Sequence, residues 1–153
     1  MTLFLIRHAK AGSRSDWDDD DRLRPLSNKG RVQADQLAVV LAAVAPSRLV
    51  SSPYLRCVQT LEPLGRLCDL EVVADERLAE DGPFEAVLEL LADLPDQAVL
   101  CSHGDLIPET IDALVRRGCH VVGRPDWRKA TVWRLERGAT GEITTAEVTP
   151  PPS

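Results

Sequence analysis

Two arginines, two histidines and a glutamate lie just beyond the short apolar runs of this sequence. Arg7 and His8 directly follow the first run, Arg56 lies one helical turn beyond the second, Glu80 follows the third and His103 follows the fourth. Arginines can bind a phosphate through forked, charge-assisted hydrogen bonds. One histidine can supply a nucleophile, the other a further donor, and a carboxylate can protonate a leaving group. Together these side chains fit phosphoryl transfer through a phosphohistidine intermediate.

Residues near this set extend the hypothesis. Gly104 follows His103, lets a backbone approach closely, and precedes a helix whose first N–H groups are candidates to face an anion. Further candidate substrate contacts are the cations Lys10, Arg14, Arg22, Arg24 and Lys129. The cations between residues 10 and 24 lie in an aspartate-rich loop, so simple charge balance explains them equally well.

The acidic run at residues 16–21 raises the question of a metal site. Asp16, Asp18 and Asp20 occupy alternate positions, as in a calcium-binding EF-hand loop. However, Asp21 stands where that loop needs a glycine and Ser27 where it needs a glutamate, which favours a solvated loop at a pocket rim. Because arginines and a histidine can carry the charge of a transferred phosphoryl group, we expect no metal ion or other cofactor. A metallohydrolase using both histidines and the acidic run is the alternative, which EDTA would inactivate.

The elements that must position these residues alternate along the chain, because short apolar runs are separated by segments with helical periodicity. The predicted strands are residues 3–6, 48–51, 70–74, 98–101, 131–135 and 143–148, the last two joined as a hairpin around Gly138 and Gly141. The predicted helices are residues 29–44, 53–67, 84–94 and 107–115, with Pro63 as a candidate kink. This order predicts an α/β fold, a three-layer α/β/α sandwich with a mainly parallel sheet. Ligands of such sheets bind at the carboxyl ends of the strands, where the candidate residues lie.

Length, charge and cysteine content narrow the class of protein. The 153 residues suffice for one compact domain, predicted to span residues 1–153 with a frayed tail at 149–153. The net charge of −6 argues against binding to nucleic acids or anionic membranes, and no apolar run is long enough for a membrane span or a secretory signal. The four cysteines form no CxxC pair, and we interpret them as core residues in a reducing cytoplasm, with a disulfide as the less favoured alternative. Nothing in the sequence indicates an oligomeric state.

Five stretches together resemble the histidine phosphatase superfamily. They are RHA (7–9), RPLSNKGRVQA (24–34), SSPYLRCVQT (51–60), RLAE (77–80) and SHGD (102–105). The first motif of the superfamily is Arg-His-Gly, and Ala9 here replaces the glycine, a variant common in SixA-type phosphohistidine phosphatases. The chain is also similar to the histidine phosphatase domain at the C-terminus of mycobacterial MutT-type Nudix hydrolases. The resemblance covers nearly the whole chain and implies a fold like that of phosphoglycerate mutase.

The resemblance also implies roles for the candidate residues. His8 is the nucleophile that becomes phosphorylated, and Glu80 matches the general acid and base of the family, with Asp81 adjacent to it. The phosphoryl oxygens are bound by Arg7, Arg56 and His103. The implied function is a metal-independent phosphatase acting on a phosphohistidine protein or on a small phosphorylated metabolite or nucleotide. The alternative is a module of the same fold that binds a phosphorylated ligand without turnover.

Overall fold

The computed structural model describes residues 1–153 and contains seven strands and four α-helices. The strands are β1 (Thr2–Arg7), β2 (Arg48–Ser51), β3 (Val72–Ala74), β4 (Ala98–Ser102), β5 (His120–Val122), β6 (Val132–Arg137) and β7 (Ile143–Thr149). The helices are α1 (Asn28–Ala42), α2 (Leu55–Cys68), α3 (Phe84–Asp93) and α4 (Leu106–Arg116). Three short 3-10 helices cover Arg14–Asp16, Asp21–Leu23 and Glu76–Leu78. No helix is long and apolar enough to cross a membrane.

The seven strands form one mixed sheet in the order β3-β2-β4-β1-β6-β7-β5. The pairs β1–β4, β2–β4, β2–β3 and β5–β7 are parallel, whereas β6 is antiparallel to both β1 and β7. The predicted mainly parallel sheet and the terminal hairpin are therefore confirmed. The register of β1 and β4 sets Arg7 beside Ser102, so the two residues that follow, His8 and His103, emerge side by side at the same edge.

The helices cover both faces of the sheet, which confirms the three-layer α/β/α architecture. Leu3 and Leu5 of β1 belong to the core cluster that includes residues of α3 and α4. Phe4 and Ile6 belong to the opposite cluster, which includes residues of α1 and α2. A strand buried on both faces needs apolar residues at every position, and this explains the continuous apolar run at the start of the chain.

Two strands differ from the sequence prediction. The prediction missed β5, a three-residue strand that pairs with β7 at the sheet edge. Its outer residues, His120 and Val122, are exposed, so the segment lacks the buried pattern that identifies a strand. The strand predicted at residues 70–74 begins later, at Val72, because Asp69 ends α2 in the left-handed conformation (φ 54°) and the N–H of Leu70 donates to the carbonyl of Gly65 at 3.0 Å.

Three other expectations concern proline, cysteine and the tail. Helix α2 continues through Pro63. Three of the four cysteines are buried, as predicted, and all four thiols are free. The expected fraying of the tail stays a prediction, and Gln36 Nε2 of α1 donates to the carbonyl oxygen of Ser153 at 2.8 Å. The consecutive prolines 150–152 favour an extended backbone, which reduces the entropy lost when the tail packs.

Candidate active site

A cavity of about 450 Å³, here called the phosphoryl cavity, opens at the carboxyl ends of β1 and β4. Most of the site residues predicted from the sequence line it: Arg7, His8, Lys10, Arg24, Arg56, Glu80, Gly104 and Lys129. Arg14 and Asp105 line it as well. His103 is 1% exposed and lies next to the cavity, with its ring centroid 5.5 Å from that of His8.

His8 is held as a neutral imidazole. Its Nδ1 lies 2.8 Å from the carbonyl oxygen of Ala9, and because a carbonyl can only accept, Nδ1 carries the hydrogen. The unprotonated nitrogen is therefore Nε2. Burial lowers the pKa of His8 from 6.5 to about 3. The hydrogen bond to Ala9 opposes this shift, and the charge of His103 adds to it. At neutral pH the lone pair of Nε2 is available for attack.

Thr60 fixes the residue after His8. The N–H of Ala9 donates to Thr60 Oγ1 at 3.0 Å, and that hydroxyl donates to the carbonyl oxygen of Arg56 at 2.7 Å. Ala9 is completely buried, so its methyl group fills the position where the superfamily motif has glycine. The hydroxyl of Thr60 thus ties the end of β1 to the first turn of α2, and with it His8 to Arg56.

The orientation of His103 depends on Ser52 and Tyr54. His103 Nε2 lies 2.8 Å from Ser52 Oγ, and that oxygen accepts from the N–H of Tyr54 at 3.3 Å. In the tautomer in which Ser52 Oγ donates to Nε2, the hydrogen of His103 lies on Nδ1 and makes Nδ1 a donor. Cys57 Sγ lies 3.5 Å from the same Nε2. The Tyr54 ring packs edge-on against His103 at 4.7 Å. His103 Nδ1 is buried and has no partner.

Arg7 explains why residue 104 is glycine. A Cβ atom at Gly104 would lie 2.5 Å from Cζ of Arg7, well inside contact distance. The guanidinium occupies that space and donates from Nη1 to the carbonyl oxygen of Trp127 at 2.5 Å. Burial lowers the pKa of Arg7, an effect that the nearby charge of Asp105 opposes. The close approach predicted at Gly104 is therefore made by the Arg7 side chain.

Arg56 is 1% exposed and is held by Asp21, a residue that the sequence prediction left in a solvated acidic run. Arg56 Nη1 donates to the Asp21 carbonyl oxygen at 2.8 Å, and Nη2 donates to the carboxylate at 3.0 Å. Asp21 also accepts from Arg24 Nε at 2.9 Å and lies 3.8 Å from Arg14 Nε. Burial alone would raise the pKa of Asp21, but the bonds from Arg24 and Arg56 prevail and lower it.

Glu80 lies in the cavity wall, whereas its neighbour Asp81 does not. The two carboxylate oxygens of Glu80 accept from Arg14 Nη2 and Arg56 Nη2, each at 3.3 Å. Asp81 is exposed, has a positive φ of 67°, and donates its N–H to Asp105 Oδ2 at 2.9 Å. Of the two adjacent acids, only Glu80 is placed to exchange a proton with a ligand in the cavity.

Three buried donors of this site have no partner. They are Arg7 Nε, Arg56 Nε and His103 Nδ1, and the only other buried side-chain atom without a partner is the indole nitrogen of the core residue Trp133. Buried polar groups are normally hydrogen-bonded, so each of these donors requires an explanation. All three belong to the residues predicted to bind phosphoryl oxygens, and an anion in the cavity would satisfy them.

The remaining candidates divide between the cavity and the surface. Arg22, predicted as a substrate contact, does not line the cavity, because Arg22 Nη2 donates to Glu76 at 2.8 Å and the guanidinium lies 4.9 Å from the centroid of the Tyr54 ring. Lys129 does line it, and burial together with the charges of neighbouring cations, led by Arg7, lowers the pKa of its amine. No group of three or more His, Cys, Asp or Glu side chains is arranged to hold a metal ion.

A family model matches about half of the chain. Residues 3–83 match the model of the histidine phosphatase superfamily (branch 1). The chain is 33% identical to the 8-oxo-(d)GTP phosphatase of Mycolicibacterium smegmatis, over 99% of this chain and 48% of that protein, and so spans about half of that relative.

Solved structures show the same fold. The protein histidine phosphatase SixA, complexed with tungstate, superposes with a TM-score of 0.76 at 23% identity, over 94% of this chain and 93% of that one. A SixA-like protein of Nakamurella multipartita, described as a putative phosphohistidine phosphatase, gives 0.72 at 26% identity, over 99% and 96% of the two chains. The resemblance and the fold predicted from the sequence are confirmed.

Proposed function

The chain belongs to the histidine phosphatase superfamily, and we propose that it is a phosphatase that transfers a phosphoryl group to Nε2 of His8 and then to water. The observation that carries the proposal is the state of His8. Its Nδ1–H is bound to a carbonyl oxygen, its Nε2 is unprotonated, and it faces a cavity lined with arginines. A neutral imidazole next to unpartnered cationic donors fits nucleophilic attack on a bound phosphate.

In the first step, the Nε2 lone pair forms a P–N bond while the bond from phosphorus to the leaving group breaks. The electron pair of the broken bond departs with the leaving group, which takes a proton from Glu80. The unpartnered donors of Arg7, Arg56 and His103 bind the phosphoryl oxygens, on which negative charge is concentrated. Because these donors are fixed before the substrate arrives, little reorganisation is needed during transfer.

In the second step, water attacks phosphorus and the P–N bond returns its electron pair to Nε2. Glu80, now a carboxylate, takes a proton from that water and is thereby restored for the next cycle. Arg14 and Arg56 hold the two oxygens of Glu80 at 3.3 Å, which fixes the carboxylate at the cavity wall. One molecule of inorganic phosphate leaves in each cycle.

We propose that the reaction needs no metal ion. Metal ions in other phosphoryl-transfer enzymes neutralise charge on the phosphoryl oxygens. Arg7 and Arg56 supply that positive charge here, and Lys129 and Arg24 line the same cavity. We therefore expect full activity in excess EDTA.

The substrate carries a phosphorylated group that is small enough to enter the phosphoryl cavity. The relatives named above act on different molecules, a protein phosphohistidine in one case and an oxidised guanine nucleotide in another. Ala11 is the only hydrophobic residue of the cavity lining, so the lining offers hydrogen bonds and charge rather than an apolar surface. We propose a phosphohistidine protein, a phosphorylated metabolite or a nucleotide as the substrate.

Hydrolysis of p-nitrophenyl phosphate in excess EDTA tests this proposal. We expect wild-type turnover, loss of turnover in His8→Asn, and unchanged turnover in His120→Asn, because His120 is exposed on β5 away from the cavity. A protein that binds inorganic phosphate through Arg7 without any turnover would be a binding module instead. Activity that is lost in EDTA and restored by a divalent cation would contradict metal independence.

A further inference from the structure

All three lysines of the chain surround one space. Lys10, Lys29 and Lys129 line a second cavity of about 470 Å³, here called the lysine cavity. Its other lining residues are Gln33, Arg128 and the tail residues 151–153. The lysine cavity adjoins the phosphoryl cavity, because Lys10 and Lys129 line both.

The three lysines have no salt-bridge partner, unlike most arginines of the site. Arg14, Arg24 and Arg56 each form a salt bridge with Asp21, at 3.8, 2.9 and 3.0 Å. None of the three lysines forms a salt bridge, and the one carboxylate in the lining of the lysine cavity is the terminal carboxylate of Ser153. The chain has 24 acidic residues against 18 basic ones, so three unmatched cations around one space depart from its overall charge balance.

The backbone holds two of these lysines together. The carbonyl oxygen of Lys10 accepts from the N–H of Ser27 at 2.9 Å, and the N–H of Lys10 donates to Gln33 Oε1 at 3.0 Å. A Cβ atom at Gly30 would lie 1.8 Å from the Lys10 carbonyl oxygen, so only glycine lets α1 pack this closely. That contact keeps the first turn of α1, which contains Lys29, against the backbone of Lys10.

We propose that the lysine cavity binds a second anionic group of the substrate while the first is transferred in the phosphoryl cavity. This inference rests on the proposed phosphatase function and narrows its substrate to a small molecule with two or more phosphate groups. Nucleoside polyphosphates and bisphosphorylated metabolites share that chemistry. A phosphohistidine side chain carries a single phosphoryl group and would leave the three lysines unmatched.

Calorimetry with two inorganic probes at constant ionic strength tests the inference. We expect tripolyphosphate to bind the wild-type protein at least tenfold more tightly than orthophosphate. Lys29→Gln removes one cation in contact with the added charge, an interaction of about 1 kcal/mol at 4 Å in water, and should weaken tripolyphosphate binding about fivefold. Orthophosphate binding should change less than twofold, because Lys29 does not line the phosphoryl cavity.

Arg31→Gln is the matched control. Arg31 lies two residues further along α1 and is exposed, but it lines a different cavity together with Asp35 and Glu62. The substitution removes the same charge, so it should leave the affinity for both probes unchanged. Equal weakening by the two variants, or tripolyphosphate binding no tighter than orthophosphate, would overturn the inference.

Turnover separates the inference from the proposed function on which it rests. A wild-type protein that fails to hydrolyse p-nitrophenyl phosphate refutes the phosphatase proposal, whatever the calorimetry shows. In an active enzyme, a nucleoside diphosphate and a hexose bisphosphate compared as substrates distinguish the two sources of the second anion. For the preferred substrate, kcat/KM is divided by kcat/KM for p-nitrophenyl phosphate. This ratio should be about fivefold lower in Lys29→Gln than in the wild type.

Discussion

Replacement of Gly104 by alanine should impair phosphoryl transfer by displacing Arg7. The added Cβ atom would lie 2.5 Å from Cζ of Arg7 and 2.7 Å from its Nε and Nη2. Carbon atoms in contact are normally about 3.5 to 4.0 Å apart, so the guanidinium must move by about 1 Å. Its hydrogen bond to Trp127, at 2.5 Å, would be stretched or lost in that movement.

The size of the effect follows from the proposed role of Arg7 as a ligand of the phosphoryl oxygens. A misplacement of about 1 Å in a catalytic site can cost about 100-fold in rate. We expect kcat/KM for p-nitrophenyl phosphate to fall by about that factor, and inhibition by orthophosphate to weaken. Overpacking should cost about 1 to 3 kcal/mol of stability, which lowers Tm by several degrees and leaves the protein folded at 25 °C.

Two comparisons identify Arg7 as the cause. Gly12→Ala makes the same substitution in the wall of the same cavity, where the added Cβ meets no atom closer than 4.0 Å, and should retain activity within about twofold. In a double-mutant cycle, Arg7→Ala with Gly104→Ala should be no less active than Arg7→Ala alone. Displacement of Arg7 is not the cause if Gly104→Ala is as active as Gly12→Ala, or if Gly104→Ala reduces the activity of Arg7→Ala a further 100-fold.

Three further predictions concern His8, Asp21 and Glu80. Because the pKa of His8 is about 3 when folded and near 6.5 when unfolded, the unfolded state binds the extra proton between these values. The contribution of His8 to stability should therefore be lost as pH falls from 6.5 towards 3, and urea unfolding at pH 7 and pH 5 should show a smaller pH effect in His8→Asn. Asp21→Asn should raise KM about tenfold, because it loosens Arg56. Asp18→Asn removes a charge from the same acidic run and should leave KM unchanged. Equal effects of the two variants would contradict a specific role for Asp21. Glu80→Gln should slow hydrolysis of phenyl phosphate by a factor of about 10² to 10⁴. It should slow hydrolysis of p-nitrophenyl phosphate less, because the better leaving group needs less protonation. An equal loss of rate for both leaving groups would exclude Glu80 as the acid.

The sequence predicts most of the fold because buried strands carry a strong signal. Residues 3–6 and 98–101 are apolar at every position, and the structure buries β1 and β4 between two helical layers. The strand β5 gives no such signal, since it has only three residues and its ends are exposed. Its position depends on pairing with β7, which is a long-range contact that local patterns do not contain.

The candidate site was predictable where its residues follow strands, and less so elsewhere. His8 and His103 emerge side by side because their strands pair in register, a consequence of the parallel order. The loop from residue 10 to residue 24 has no periodicity, so the sequence does not show which of its charged residues line the cavity and which lie on the surface. The structure places Arg14 and Arg24 in the cavity wall, pairs Arg22 with Glu76 outside it, and uses Asp21 to hold Arg56.

The hydroxyl groups that orient the site could not be found from sequence at all. Ser52 and Thr60 are ordinary residues in a motif, and only the structure shows that they bond to His103 and Ala9. Lys29 was likewise indistinguishable from a solvated residue at the start of a helix. It joins Lys10 and Lys129 around one cavity only after α1 packs against the backbone of Lys10.

The central claim is that His8 carries the phosphoryl group during turnover, and trapping that intermediate tests it most directly. The enzyme would be mixed with p-nitrophenyl phosphate for milliseconds, quenched in alkali and mapped by mass spectrometry. We predict an acid-labile phosphoryl group on His8, at up to one per chain. It should be absent in His8→Asn and present in His120→Asn. Steady turnover with no phosphoryl group on His8, or equal turnover by His8→Asn, would contradict the account.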